Sequence, residues 1–182
     1  VEVPKVTTDM RGPTPYSNWI VPDHLLVGAY PAKTYMIEAL IEVGVSTFVS
    51  LVEPSENPRH GVPYPEEAQA ITARTLHFES AAMPDRKTVQ DDDVVELVEK
   101  ILLLLRRGEM VYIHCWGGHG RTGIVASLLA VRLFDLDPDK ALSLNQALHD
   151  IRPDVEGIKA SSVPSPQTSE QRSQVKRIAH RW

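Results

Sequence analysis

The chain has 182 residues and a mass of 20.3 kDa, long enough for a domain with a proper core. Its formal net charge of −5, from 19 basic and 24 acidic side chains, argues against a nucleic-acid or acidic-membrane surface but is compatible with a small cationic pocket for an anionic substrate. One cysteine excludes an internal disulfide, and the longest apolar run, ILLLL at 101–105, is far too short to cross a bilayer; a soluble, cytoplasmic, monomeric protein with no transmembrane segment is expected.

In chain order, one domain over 1–182 is expected, opening with an irregular, proline-containing leader at 1–18. LLVGAY (25–30) reads as a strand. KTYMIEALIEVG (33–44) has helical apolar spacing and ends at Gly44, a natural helix C-terminus. VSTFVSL (45–51) is a β-branched, buried strand, and the proline-rich stretch 53–65 is a long loop. EEAQAITAR (66–74) predicts a helix and TLHFE (75–79) a strand. Val94, Leu97, Val98, Ile101 and Leu105 fall on one helix face, with Thr88 and Asp91 resembling the capping pair that opens it. MVYIH (110–114) is a short strand and TGIVASLLAVRLF (122–134) a nearly all-apolar helix. DPDKALSLNQALHDI (137–151) and SEQRSQVKRIAHRW (169–182) complete the helices. Strands alternating with helices predict an α/β fold, a central mixed and partly parallel sheet flanked by helices.

Between the last strand and the apolar helix lies HCWGGHGRTG (114–123), which contains the only cysteine, Cys115. A strand-to-helix turn is a natural anion site, because the first helix amides lack backbone partners and carry the positive end of the helix dipole. Gly117, Gly118 and Gly120 allow the backbone to curl so that successive N–H groups converge. A nucleotide-binding loop would need Gly at 115 and Lys at 121, and both positions differ. Taken alone, Cys115 reads as a small buried hydrophobe. The flanking strand, the glycines, the arginine and the helix instead mark it as a nucleophile.

The Cys-x5-Arg-[Ser/Thr] spacing from Cys115 through Arg121 to Thr122 resembles the cysteine-dependent protein tyrosine phosphatase superfamily, in its small dual-specificity or atypical group, over roughly 17–182. The resemblance implies a tyrosine-phosphatase-like fold and hydrolysis of phosphate monoesters, on phosphotyrosine and on phosphoserine or phosphothreonine, through a cysteinyl-phosphate, without metal or cofactor. It implies Cys115 as nucleophile, with a thiol pKa below the free value of about 8.5, and Arg121 as a bidentate clamp on phosphate. The amides of Trp116, Gly117, Gly118, His119 and Gly120 would cradle the substrate, Thr122 would hydrogen-bond the sulfur, and His114 would order the backbone around it. AAMPD (81–85) resembles the family's mobile Trp-Pro-Asp loop with Met83 in the tryptophan place, which makes Asp85 the general acid; Asp91, Asp92 and Asp93 compete for that role. SPQTSEQ (165–171) resembles a water-positioning Gln-Thr-x-x-Gln stretch, with Gln167, Thr168 and Gln171 in place; the alternative is a helix start capped by Thr168 or Ser169.

The partner expected is a phosphorylated protein or small phosphate ester. His119 stands where phosphoinositide phosphatases of the superfamily carry lysine; it reads equally as a partly cationic group beside phosphate and as a neutral packing group, and a phosphoinositide or inositol phosphate is the alternative substrate. Arg59, His60, Arg86 and Lys87 add charge near the mouth or are simply solvated. A phosphate-binding module, a sulfurtransferase and an arsenate reductase are the remaining readings. The first would be expected to lack Cys115, Arg121 or the acid, the second has no need of a Pro-Asp loop, and the third needs further cysteines.

Overall fold

The computed structural model describes residues 1–56 and 63–182, and its centre is a five-stranded sheet. The strands are β1 (Ser17–Val21), β2 (Leu25–Gly28), β3 (Thr47–Ser50), β4 (His77–Ser80) and β5 (Val111–His114), in the order β1-β2-β5-β3-β4. β1 and β2 form an antiparallel hairpin, and every other pairing is parallel. The helices are α1 (Thr34–Glu42), α2 (Tyr64–Ile71), α3 (Asp91–Arg106), α4 (Gly120–Phe134), α5 (Pro138–Asp150) and α6 (Ser169–Ala179). This is the mixed, helix-flanked sheet that the alternation of apolar runs predicts.

Register sets the site. β5 is inserted between β2 and β3, so His114 pairs with Gly28 on one side and with Ser50 on the other. The chain leaving β5 therefore emerges at the carboxyl ends of three parallel strands, where the strand order switches and open α/β sheets bind ligands. β5 is buried throughout, as a strand covered on both faces must be. α4 follows directly, buried at every position from Gly120 to Ala130, and packs against α5 and α6.

Several boundaries differ from the sequence reading. The leader expected to be irregular to residue 18 holds a short 3₁₀ turn at Thr8–Met10, with Met10 buried, and passes into β1 at Ser17. The stretch 53–65, expected to be a long loop, holds a 3₁₀ turn at Pro54–Glu56 among its described residues, and α2 begins within it at Tyr64, behind a proline N-cap. α2 stops at Ile71 because Thr72 is extended, and α6 stops at Ala179. α3 opens at Gln90 with no side-chain cap, so Thr88 does not cap it. The first-turn carboxylates of α3 instead bind α6: Asp91 accepts from Arg177 at 2.6 and 2.7 Å and from Gln174 at 3.1 Å, and Asp92 pairs with Arg181 at 2.8 Å. No helix among the described residues is long and apolar enough to cross a membrane.

Candidate active site

Cys115 is buried at the floor of a cleft of about 680 Å³, whose wall includes Trp116, Gly117, His119, Gly120, Arg121, Asp85 and Gln167. Among the described residues, no backbone amide from Trp116 to Thr122 donates to a protein acceptor. α4 starts inside the motif, with His119 as an N-cap whose side chain makes no capping bond. The loop therefore presents a run of unpaired N–H groups at a helix N-terminus, the arrangement that holds a phosphate or another oxyanion. Gly118 makes the curl possible. Its φ is +74°, and a Cβ there would lie 2.3 Å from the Gly28 carbonyl carbon, so only glycine fits against the end of β2. Gly118 consequently lies behind the loop, away from the cleft wall.

His114 is fully buried in a cage of Tyr30, Tyr64 and Tyr112. Its Nδ1 lies 3.1 Å from the Cys115 carbonyl, which can only accept, so Nδ1 carries the proton and Nε2 accepts from the Tyr64 hydroxyl at 2.7 Å. Burial pushes its pKa down to about 4, so the ring is neutral and braces the backbone at the cysteine.

Arg121 is 1% exposed, and its donors can be accounted for one by one. Nη1 and Nη2 grip both oxygens of Glu56 at 2.7 and 2.9 Å, and Nη1 also donates to the Met83 carbonyl at 3.1 Å. Nε is buried without a partner, and Nη2 lies 3.3 Å from Oδ1 of Asp85. Nε is thus the one guanidinium nitrogen without a protein partner, and a ligand taking the Nε–Nη2 edge with two oxygens would displace Asp85 from Nη2. The bond to Arg121 holds the Glu56 carboxyl below its usual range. Met83 is 2% exposed and belongs to the core, with its N–H on the Leu51 carbonyl at 2.9 Å. It anchors the Asp85 loop and contributes its carbonyl to Arg121. Asp85 itself is exposed and faces the cleft. Asp91 and Asp92 are held by α6, and Asp93 lines a separate small cavity with Met83 and Leu97.

Thr168 and Gln171 form a reciprocal capping box at α6, and Gln171 Oε1 also accepts from the Gln167 N–H at 3.0 Å. Gln167 reaches the cleft, close against Gly120. Cap and cleft residue therefore coexist in one segment. The Thr122 hydroxyl is buried without a partner, so the expected bond to the sulfur is not formed here.

Residues 14–175 match the family described as PTP-SAK, Swiss Army Knife protein, DSP-PTPase phosphatase domain. The chain belongs to this family. "Putative tyrosine phosphatase 197R" of Invertebrate iridescent virus 6 is 29% identical over 129 residues, covering 68% of this chain and 45% of that protein. Protein tyrosine phosphatase domain-containing protein 1 of Bos taurus is 25% identical over 138 residues, covering 70% of this chain and 17% of the relative. The chain spans about half the length of the two viral relatives it matches and much less of the bovine one. In fold it is similar to Tk-PTP in its active form, with a TM-score of 0.71 at 24% identity and coverage of 92% of this chain and 99% of that one.

Within this DSP-PTPase domain, His119 takes the neutral, packed form of its two readings. His149 Nδ1 lies 3.1 Å from the Asp150 carboxylate and so carries the proton, which leaves its Nε2 to accept from His119 Nδ1 at 2.7 Å. Burial, the neighbouring His149 and the Arg152 charge lower the His119 pKa to about 3, so the imidazole is no phosphate-binding cation. Arg59 and His60 lie outside the described residues. Two functional neighbours had no sequence signal: Glu56, and Arg152 behind the loop. Arg152 is buried, donates from Nε to Asn18 Oδ1 at 2.9 Å and from Nη2 to the Gly118 carbonyl at 3.1 Å, and leaves Nη1 unpartnered. Burial lowers its pKa to about 10, so it remains charged at neutral pH and adds positive potential beneath the cradle. Among the described residues, no three His, Cys, Asp or Glu side chains are grouped to hold a metal.

The buried histidines make the fold acid-sensitive. His114, His119 and His149 fall from 6.5 to about 4, 3 and 4, each with burial as the largest cause. The unfolded chain then takes up protons first as pH drops below 6.5, so stability is full above 6.5 and lost as pH falls toward 4. For His114 alone the loss is on the order of 3 kcal/mol. Melting temperature should fall steeply between pH 6.5 and 4.5, above most carboxylate titration; a flat curve there would show these rings to be charged or exposed.

Proposed function

We propose that the chain hydrolyses phosphate monoesters, phosphotyrosine foremost, through a phosphoenzyme intermediate on Cys115. The observation that carries this reading is a buried thiol, a run of unpaired amides and Arg121, its Nε without a partner, on the wall of one cleft, with Asp85 facing them.

In the first step the Cys115 thiolate attacks phosphorus and the bond to the leaving oxygen breaks. Asp85 gives that oxygen its proton, while the amides and Arg121 hold the three equatorial oxygens. Glu56 fixes the guanidinium plane, so that phosphate takes the Nε–Nη2 edge as Asp85 swings from Nη2 to the leaving oxygen. In the second step water attacks phosphorus, Asp85 takes its proton, and the sulfur leaves as thiolate. Gln167, held through its N–H by Gln171, orients that water. The unpartnered Thr122 hydroxyl is the available donor for the departing sulfur.

The bias toward phosphotyrosine over a phosphoinositide follows from the loop, whose one cation is Arg121 because His119 is neutral. A polyphosphorylated inositol ring would find only Lys33 beside Arg121 among the cationic side chains lining the cleft, and Glu156 would repel its further phosphates. The reading is tested by hydrolysis of an aryl phosphate in excess chelator. Turnover abolished by vanadate and by thiol alkylation is expected. Sulfur transfer or arsenate reduction without phosphate release would replace the reading.

A further inference from the structure

The mouth of the cleft carries a carboxylate in an unexpected place. Val155 and Ile158 bond each other at 3.1 and 2.9 Å across a two-residue turn in which Glu156 and Gly157 both have positive φ, +52° and +78°. Such turns favour Asn, Asp or Gly at the first central position, since a longer L side chain is strained in the left-handed region. Glu156 occupies it nonetheless, and with Val155 it lines the same cleft as Cys115. It makes no ion pair among the described residues. The Tyr16 phenol is pushed up by burial first and then by the Glu156 charge and Tyr35, so the three side chains share one corner. Half-exposed Tyr35 and Trp116 add aromatic surface to the wall.

An unpaired carboxylate on the approach to a phosphate cradle repels a dianionic substrate and gains nothing unless that substrate also carries a positive charge. We propose that this corner is a subsite for a substrate cation, with Glu156 as its acceptor and the rings of Tyr16, Tyr35 and Trp116 as surface for its stem, so that the preferred substrate is a phosphopeptide with arginine or lysine beside the phosphorylated residue. Lysine and arginine stems lie readily on aromatic faces while their heads meet a carboxylate. A cleft of about 680 Å³ is in the range that encloses a whole ligand, about 300–1,000 Å³, and admits residues flanking the phosphorylated one. The proposal rests on the phosphatase reading above.

The test compares kcat/KM for phosphotyrosine peptides that differ only in carrying Arg, Ala or Glu next to the phosphotyrosine, each normalised to aryl phosphate turnover by the same preparation. Wild type should prefer the Arg peptide to the Glu peptide by about tenfold, attraction and repulsion each contributing what an exposed ion pair allows. Glu156→Asn, which suits the turn and removes the charge, should bring the ratio near one, and Glu156→Gln should do the same. Raising salt should shrink the wild-type ratio. No Arg preference in wild type, a preference that survives both substitutions, or faster turnover of phosphoethanolamine than of any peptide would overturn the subsite. Absence of aryl phosphate hydrolysis by wild type would instead overturn the phosphatase reading beneath it.

Discussion

Asp85→Asn is expected to lower kcat by roughly 10²–10⁴, the usual worth of a positioned general acid. The amide keeps the shape of the side chain that approaches Arg121 Nη2 at 3.3 Å, so the loss reports the proton rather than the fold. It should be greatest for alkyl phosphates, whose leaving oxygens depend most on protonation, and smallest for an activated aryl phosphate. The basic limb of the pH–kcat profile should flatten, because that limb records deprotonation of the acid. Asp91→Asn, Asp92→Asn and Asp93→Asn are the controls. The first two lose bonds to Arg177 and Arg181 and should cost about 1 kcal/mol of stability or less, leaving the limb in place. Should Asp92→Asn remove the limb and Asp85→Asn keep it, the acid would have to be sought one helical turn downstream.

Cys115→Ser is expected to reduce turnover on the order of 10⁵-fold or more, the scale seen when a covalent nucleophile is removed. The substitution changes one atom at a buried floor position and leaves the amide run, Arg121 and its Glu56 brace intact. Inorganic phosphate and a slowly turned-over phosphopeptide should therefore still bind, and melting temperature should move little. Loss of binding together with turnover would mean that the sulfur builds the cradle as well as reacting in it.

What was legible in the sequence is what is local. Cys115, the glycines and Arg121 lie within one turn of chain, and the buried strand and helix around them carry a hydrophobic pattern that fixes their types. The Thr168–Gln171 cap is likewise local, and it formed as its letters suggest. β1 was hidden because Ser17 and Asn18 are polar yet fully buried, so the alternation that marks a strand is missing. Glu56 lies 65 residues before its guanidinium partner in a proline-rich stretch with no periodicity, and nothing near it names Arg121. Arg152 carries no local sign of its burial, since arginine is rarely buried whole, and only the fold brings it beneath Gly118. His119 was open in sign for the same reason: its neutrality depends on His149, 30 residues away on α5.

Every step of the proposed reaction depends on a covalent bond between Cys115 and phosphorus. Rapid acid quench of the enzyme during turnover of a phosphorus-labelled aryl phosphate, followed by peptide mapping, measures it directly. A burst of label approaching one equivalent is expected on the peptide containing Cys115, absent from Cys115→Ser. Steady turnover with no label on that peptide, or label on any other residue, would contradict it.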